Sequence, residues 1–364
     1  MLIVNLMTES RVSIFQQFLV AASPPGTIDH IVERIVTFGF EGKAFSLFSL
    51  LFGVGLAIQF ERLSPHGNPL YWLYRRMAVL LAFGLIHLLL IWNGDILTEY
   101  ALAGLLVLPM LLLGQSALSF AALALFAIYL VGPTLLYSIP WPDTAALQQH
   151  VDAASQAYSS GSVTDVWRFS FHELRLIVLL HLFVFPRTLA LFLFGAFLWR
   201  AGVLKRLGEF KNPFAIASIV GIGAGAGLMT LDDRGLLAQF GTAQAYLMNL
   251  APVMMALGYG AGIVALTQRP AAARRLCVFA PIGRMAFTNY LIQSVVFAFI
   301  FFGYGLGQFG RMRATPAFAL GVGVFVVQML FSAWWLQRYR YGPIEWLWRT
   351  LMYGSRQPMR QAGR

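Results

Sequence analysis

The sequence predicts an all-α, polytopic transmembrane helical bundle of about nine full spans, preceded by a truncated first helix. Three observations predict it. Of 364 residues, 59% are hydrophobic and only 11% charged, where an ordinary soluble domain carries about 25% charge. Mean hydropathy is +0.70. Apolar runs of the ~20 residues that a bilayer crossing needs recur along the whole length. The net charge of +11 reads as topology, because basic residues mark the cytoplasmic loops of membrane proteins; nucleic acid is excluded as a partner. The lone Cys277 closes no internal disulfide, so cysteine usage says nothing about compartment.

The opening "MLIVNLMTES" is apolar for too few positions to span and reads as the tail end of a helix. The nine runs are Lys43–Phe60, Leu73–Trp92, Ile96–Leu113, Leu118–Tyr137, Leu176–Trp199, Phe214–Leu231, Ala245–Thr267, Val278–Phe302 and Phe318–Leu336. The glycines of "GIGAGAG" (Gly221–Gly227) suit close helix packing; no strand precedes them, which argues against phosphate binding. One set of alternate loops, together with the tail, holds 16 of the 26 basic residues. The positive-inside rule places that set, and the C-terminus, in the cytoplasm. The Asn93–Gly94 turn and the polar segment 138–173 then face outside, the latter long enough for a small helix or lid. Residues 338–364 form a basic tail. There Trp346, Trp348 and Tyr353 suit a helix lying at the interface, with Glu345 and Arg349 as an i,i+4 pair. The chain reads as one membrane domain, with no internal repeat.

The most informative stretch is "GLIHLLLIWNGDILTEY" (Gly84–Tyr100). Asn93 and Gly94 give the only turn signal between two spans. Asp95 stands where a helix N-cap belongs, and a carboxylate is favoured at that positive dipole end. At about 1.5 Å rise per residue, His87 lies roughly 8 Å below the turn on one helix. Glu99 lies roughly 6 Å below it on the other, four residues beyond Asp95 and on the same face. A histidine beside carboxylates can be a general base, a proton relay or a metal ligand. In the bland alternative Asp95 only caps, Glu99 lines a wet crevice and His87 bonds a backbone carbonyl. Ionisable groups at membrane depth mark function by default, so His87, Asp95 and Glu99 are the candidate catalytic residues. No HExxH or cysteine pair supports a metal site.

Other polar groups fall inside the spans. His181 and Arg187 flank Pro186, which kinks or loosens a helix. Arg187 needs a cavity, an acidic partner or an anionic ligand. Arg284, in "GRMAFTNYLIQS", snorkels or binds a phosphate. Asn289 and Gln293 stand one turn apart and can bond neighbouring helices.

Five segments carry a family resemblance: "KAFSLFSLLFGVGLAIQ" (Lys43–Gln59), "GLIHLLLIWNGDILTEYAL" (Gly84–Leu102), "GRMAFTNYLIQS" (Gly283–Ser294), "FGYGLG" (Phe302–Gly307) and "YGPIEWLWRTLMYG" (Tyr341–Gly354). Together they resemble the YeiB-like family, a bacterial inner-membrane domain of unknown function numbered 418. That family typically begins with a helix of pattern LDxLRGxALLGILLVN, of which only "LIVN" stands here, making Asn5 its closing asparagine. More distantly the family is similar to transmembrane acyltransferases, which pass an acyl group from cytoplasmic acyl-CoA to an acceptor on the far side. In the acetyltransferase branch a histidine follows the first helix; His30 occupies a comparable region. The resemblance implies acyl-CoA as donor, a small-molecule, glycan or lipid acceptor, contact with membrane lipids, and residence in the bacterial inner membrane. Arg187 and Arg284 are then candidates for the donor's phosphates, and Asn5, His30, Asn289 and Gln293 for substrate binding. A proton-coupled transporter of a small or anionic solute, and a non-catalytic scaffold, are the alternatives.

Overall fold

The computed structural model describes residues 1–19, 26–135 and 141–361. The described chain is helical, with one isolated bridge between Tyr339 and Arg360. A short helix, α1 (Leu2–Val4), widens into π-helical turns over Asn5–Ser10. Then come α2 (Thr27–Gly39), α3 (Lys43–Leu63), α4 (Pro69–Ile86), α5 (Leu97–Met110), α6 (Gln115–Leu135), α7 (Thr144–Ser160) and α8 (Val163–Arg200). The second half holds α9 (Lys211–Asp233), α10 (Thr242–Thr267), α11 (Pro270–Leu276), α12 (Ala280–Arg284), α13 (Ala286–Phe301), α14 (Ala314–Leu336) and α15 (Pro343–Tyr353).

The chain is a multi-pass membrane protein. Seven helices among the described residues are long and apolar enough to cross a bilayer, and the bent unit Pro270–Arg284 plus Ala286–Phe301 makes an eighth. The expected run without a full span is the third, Ile96–Leu113: it forms α5, whose 14 residues extend only about 21 Å at 1.5 Å per residue. That is short of the ~30 Å hydrocarbon core. Two other expectations change in detail. The helix of the first full run starts at Lys43 as expected, but α2 precedes it and the two together make an apolar unit over Thr27–Leu63. The run Val278–Phe302 is bent by 66° after Arg284. Residues 136 and 137 of the fourth run lie outside the described residues.

Small residues set the helix spacing, as they do wherever helices meet without a hydrophobic driving force. A Cβ on Gly53 of α3 would lie 2.0 Å from the Phe192 carbonyl of α8, and one on Gly195 of α8 would lie 2.2 Å from the Leu50 carbonyl of α3. The two helices therefore touch backbone to backbone. The Gly221–Gly227 stripe does the same with half its glycines. Gly221 and Gly225 face the Met254 and Ala251 carbonyls of α10, while Gly223 and Gly227 face open space. The largest core gathers Leu73, Met77 and Leu80 of α4, Tyr100, Val107 and Leu108 of α5, and Phe192 and Leu193 of α8.

The segment expected to form a lid is a helix at one end of the bundle. Asp143 caps α7 by accepting from the Ala146 amide (2.8 Å), as expected of a helix N-cap. Leu147 and Val151 of α7 pack with Phe15 and Ile177. Ala154 and Tyr158 pack with Leu2, Leu6, Trp92 and Phe297. Residues 138–140 of this segment lie outside the described residues. At the opposite end, Glu345 departs from the expected pairing with Arg349. Its Oε1 accepts from the amides of Phe287 (2.8 Å) and Thr288 (2.9 Å), and its Oε2 accepts from the Thr288 hydroxyl. The tail helix thus supplies the N-terminal cap of α13, which has no side-chain cap of its own. Trp348 points inward rather than toward lipid, donating to the Arg76 carbonyl (3.3 Å) with the Arg76 guanidinium 3.9 Å over its ring.

Candidate functional site

The Asn93–Gly94 turn folds as the sequence implies. Asp95 accepts from the Leu97 amide (3.1 Å) and the Thr98 amide (2.6 Å), capping α5. Its Oδ1 also meets His87 Nδ1 at 2.8 Å. His87 reaches it through a π-helical widening of α4 over His87–Ile91, in which the Trp92 amide bonds back to the His87 carbonyl (2.8 Å). Such single π-turns recur at functional sites. The imidazole is fully buried, between the rings of Trp92 (6.3 Å) and Tyr290 (5.1 Å), and its Nε2 has no partner.

Glu99 points elsewhere. It accepts from His181 Nδ1 at 2.6 Å and from the Thr188 hydroxyl, both on α8. A carboxylate only accepts, so the proton of this contact sits on His181 Nδ1. In the neutral imidazole Nε2 is then the acceptor, and it has no hydrogen-bond partner among the described residues. The side chain of His181 is 30% exposed. Helix α8 runs continuously through Pro186, so the expected kink does not break it. His181 and Thr188 stay seven residues apart on one helix and reach the same carboxylate.

These groups border a polar chamber of about 200 Å³. Asp95, Glu99, His181, Arg187 and Thr188 line it, joined by Glu9, Glu41, Ser49 and Tyr100. Glu9 arrives on the first π-helical segment, Asn5–Ser10, and lies against the turn: a Cβ on Gly94 would sit 2.5 Å from its Oε2, which is buried without a hydrogen-bond partner. Arg187 forms no ion pair among the described residues. Its guanidinium lies 5.5 Å over the Tyr129 ring and its Nε is unpartnered. Four carboxylates therefore face one guanidinium. No group of three His, Cys, Asp or Glu among the described residues could hold a metal ion.

A second cavity, about 220 Å³ and almost wholly apolar, shares Asp95, Glu99, Ile177 and His181 with the first. Leu88, Thr98, Leu102, Leu174, Val178, Leu182 and Phe185 complete it. Leu102, Val178 and Leu182 are 43%, 54% and 58% exposed on the outside of the bundle. The cavity is thus a lateral groove facing the surroundings of the helices.

Glu173 closes the region toward α7. It accepts from His150 Nε2 (2.9 Å), from the Tyr158 hydroxyl (2.8 Å) and from Asn93. Burial, then the neighbouring Glu173 charge, pushes the Tyr158 phenol well above its ordinary range, so it stays a donor. The cluster ties the hairpin turn, α7 and α8 together.

The predicted residues thus divide. Asp95, Glu99 and Arg187 meet at the chamber, and His87 stands behind Asp95 without lining it. The other candidates lie apart from it. Arg284 bonds the Arg340 carbonyl of the tail (3.3 Å), His30 is exposed on α2, and Asn5 is buried beside the chamber without lining it. Asn289 donates from its side-chain Nδ2 to the Ser332 hydroxyl (3.0 Å), and its backbone carbonyl accepts from Gln328 (3.0 Å). Gln293 is buried on the same helix with Oε1 unpartnered. His181 was visible in the sequence as an intramembrane polar group, but only its contact with Glu99 marks it for the site. Glu9 and Glu41 carried no sequence signal.

Residues 198–355 match the family described as "Protein of unknown function (DUF418)". Over 358 residues, covering 91% of this chain and 84% of the relative, the chain is 34% identical to the uncharacterized protein YxaH of Bacillus subtilis (strain 168). The chain belongs to the DUF418 family. It is also 29% identical over 328 residues to the uncharacterized protein YeiB of Escherichia coli (strain K12), covering 85% of this chain and 81% of that one. A third relative is an uncharacterized 39.9 kDa protein from the amylase 3' region of Bacillus acidopullulyticus, 26% identical over 344 residues, with 92% and 86% covered. No solved structure matches. The chamber-lining residues, Val4 to Thr188, all precede the segment that carries the DUF418 match.

Proposed function

We propose that this DUF418 protein is a membrane-embedded acyltransferase with His181 as general base, oriented by Glu99. One observation carries the reading: His181, held by a carboxylate through Nδ1, stands at the wall shared by a polar chamber and an apolar groove. Its free Nε2 takes the proton of an acceptor hydroxyl or amine. The acceptor atom then bonds to the acyl carbonyl carbon, the C–S bond of a thioester donor breaks, and the departing thiolate takes up a proton. His87, sealed behind Asp95, fixes that carboxylate at the chamber wall and so positions rather than reacts. Acyl-CoA is the proposed donor. Its phosphates find four carboxylates and one guanidinium in the chamber, so only the thioester end enters. In this reading the membrane is a bacterial inner membrane with the C-terminus on its cytoplasmic side, an orientation that the basic-residue asymmetry supports.

A positioned base contributes roughly 10²–10⁴-fold. Protein purified into nanodiscs and given radiolabelled acetyl- or longer acyl-CoA is expected to release CoA and transfer label. His181→Gln is expected to lower both by that factor while the fold is kept. If the wild-type protein neither binds nor turns over any acyl-CoA, the reading fails. The histidine–carboxylate pairs together with Glu9 and Glu41 in one chamber also suit a proton relay. Solute uptake into proteoliposomes that requires a pH gradient would favour that second reading.

A further inference from the structure

We propose that the groove between α5 and α8 seats the hydrocarbon chain of an amine-bearing membrane lipid whose headgroup occupies the adjoining chamber. The argument rests on continuity. The apolar groove and the polar chamber share four wall residues, Asp95, Glu99, Ile177 and His181, so one molecule can fill both. Such a molecule must be apolar at one end and polar at the other. The groove walls Leu102, Val178 and Leu182 are exposed on the outside of a bundle that stands in lipid. A bilayer amphiphile therefore enters sideways without crossing water.

The chamber's charge selects the head. His87 occupies Asp95, and His181 with Thr188 occupies Glu99. Glu9 and Glu41 line the chamber with no ion pair among the described residues, and Glu9 Oε2 is buried without a hydrogen-bond partner, the Met1 ammonium being the one cation among them whose charge acts on it. A carboxylate in that state needs a proton or a cation, and an ammonium group supplies one. Arg187, likewise without an acid, supplies the complement for a phosphate. A zwitterionic head with both groups meets both needs, whereas an anionic head with no amine leaves the carboxylates unanswered. The apolar cavity among α6, α8 and α10 makes the contrast. It is larger, about 330 Å³, but Ser119 is its only polar lining residue and it has no ionisable wall; it is a place for boundary lipid alone.

The inference rests on the acyltransferase reading only in making this lipid the acceptor; occupancy is tested apart from turnover. The full chain is reconstituted in nanodiscs with phosphatidylethanolamine or phosphatidylglycerol carrying a photoreactive diazirine in one chain, irradiated and mapped by mass spectrometry. Label is expected on Leu102, Val178 and Leu182 at several times the level found around Leu123 and Leu257. It is expected to be severalfold stronger with phosphatidylethanolamine, and to fall about tenfold in Val178→Trp, which fills the groove. Glu9→Gln is expected to reduce the preference between the two lipids without removing the label. Equal labelling of the two cavities, or labelling that Val178→Trp leaves unchanged, means boundary lipid only and overturns the proposal. Equal labelling by the two lipids overturns the headgroup assignment. Acyl transfer to water-soluble acceptors with no groove label would sink this inference and leave the enzyme reading standing. Groove label without any acyl-CoA turnover would do the reverse.

Discussion

Two acidic clusters, one at each end of the bundle, use the same chemistry to opposite ends. At the tail end, Glu345 spends both oxygens on α13: two backbone amides and one hydroxyl. No cavity is lined by it among those described here, and the result is a fixed elbow between α12 and α13. At the α7 end, Glu99 also has both oxygens occupied, but one partner is a histidine whose other nitrogen stays free beside two cavities. Nearby, Glu9 and Arg187 keep unpartnered polar atoms. A buried polar network that is fully satisfied fixes structure. One that retains unused capacity next to space can receive a ligand. The difference lies in what remains unbonded, not in residue type.

The comparison can be broken at four points. The largest expected effect is on activity alone. His181→Gln should lower acyl transfer by roughly 10²–10⁴-fold with the apparent Tm in detergent unchanged. A parallel loss of Tm would turn His181 into another structural clamp. Next, Glu173→Gln turns one of the two oxygens that accept from His150, Tyr158 and Asn93 into an NH2 donor, so one side of the cluster loses its acceptor. Leaving buried donors short costs about 1–3 kcal/mol, read as a lower Tm and faster proteolysis within 144–160. At the tail end, Glu345→Ala uncaps α13 at a cost of about 0.5–2 kcal/mol, with turnover per folded molecule unaffected. The smallest effect is expected from Glu9→Gln, which replaces a buried carboxyl group whose Oε2 has no hydrogen-bond partner. Stability should stay level or rise, and a clear fall in Tm would show that Glu9 has a structural partner after all.

The sequence carried much of the fold and part of the site, for identifiable reasons. Apolar runs near 20 residues are written in consecutive letters, so all nine segments could be placed, even though α5 proved short and the eighth bent. The Asp95 cap and its closeness to His87 follow from one turn and the rise of two helices, both local. Glu99 meeting His181 is not local. It depends on how α5 rotates against α8 across 82 positions. Glu9 depends on a π-helical register and on the missing Cβ of Gly94. Glu345 read naturally as a partner of Arg349 one turn away. It is instead drawn to an uncapped helix end 57 residues upstream in sequence, because free amides at a positive dipole end compete well with an exposed guanidinium.

The shortness of α5 reaches beyond the protein. A helix of 14 residues cannot match the bilayer, and its outward leucines, Leu102 and Leu106, are exposed. Hydrophobic mismatch of this kind pinches the adjacent membrane. Lipids flanking that side would sit in a locally thinned film, their headgroups drawn inward toward the mouth of the groove, so that the surrounding membrane is shaped in part by where this one helix begins.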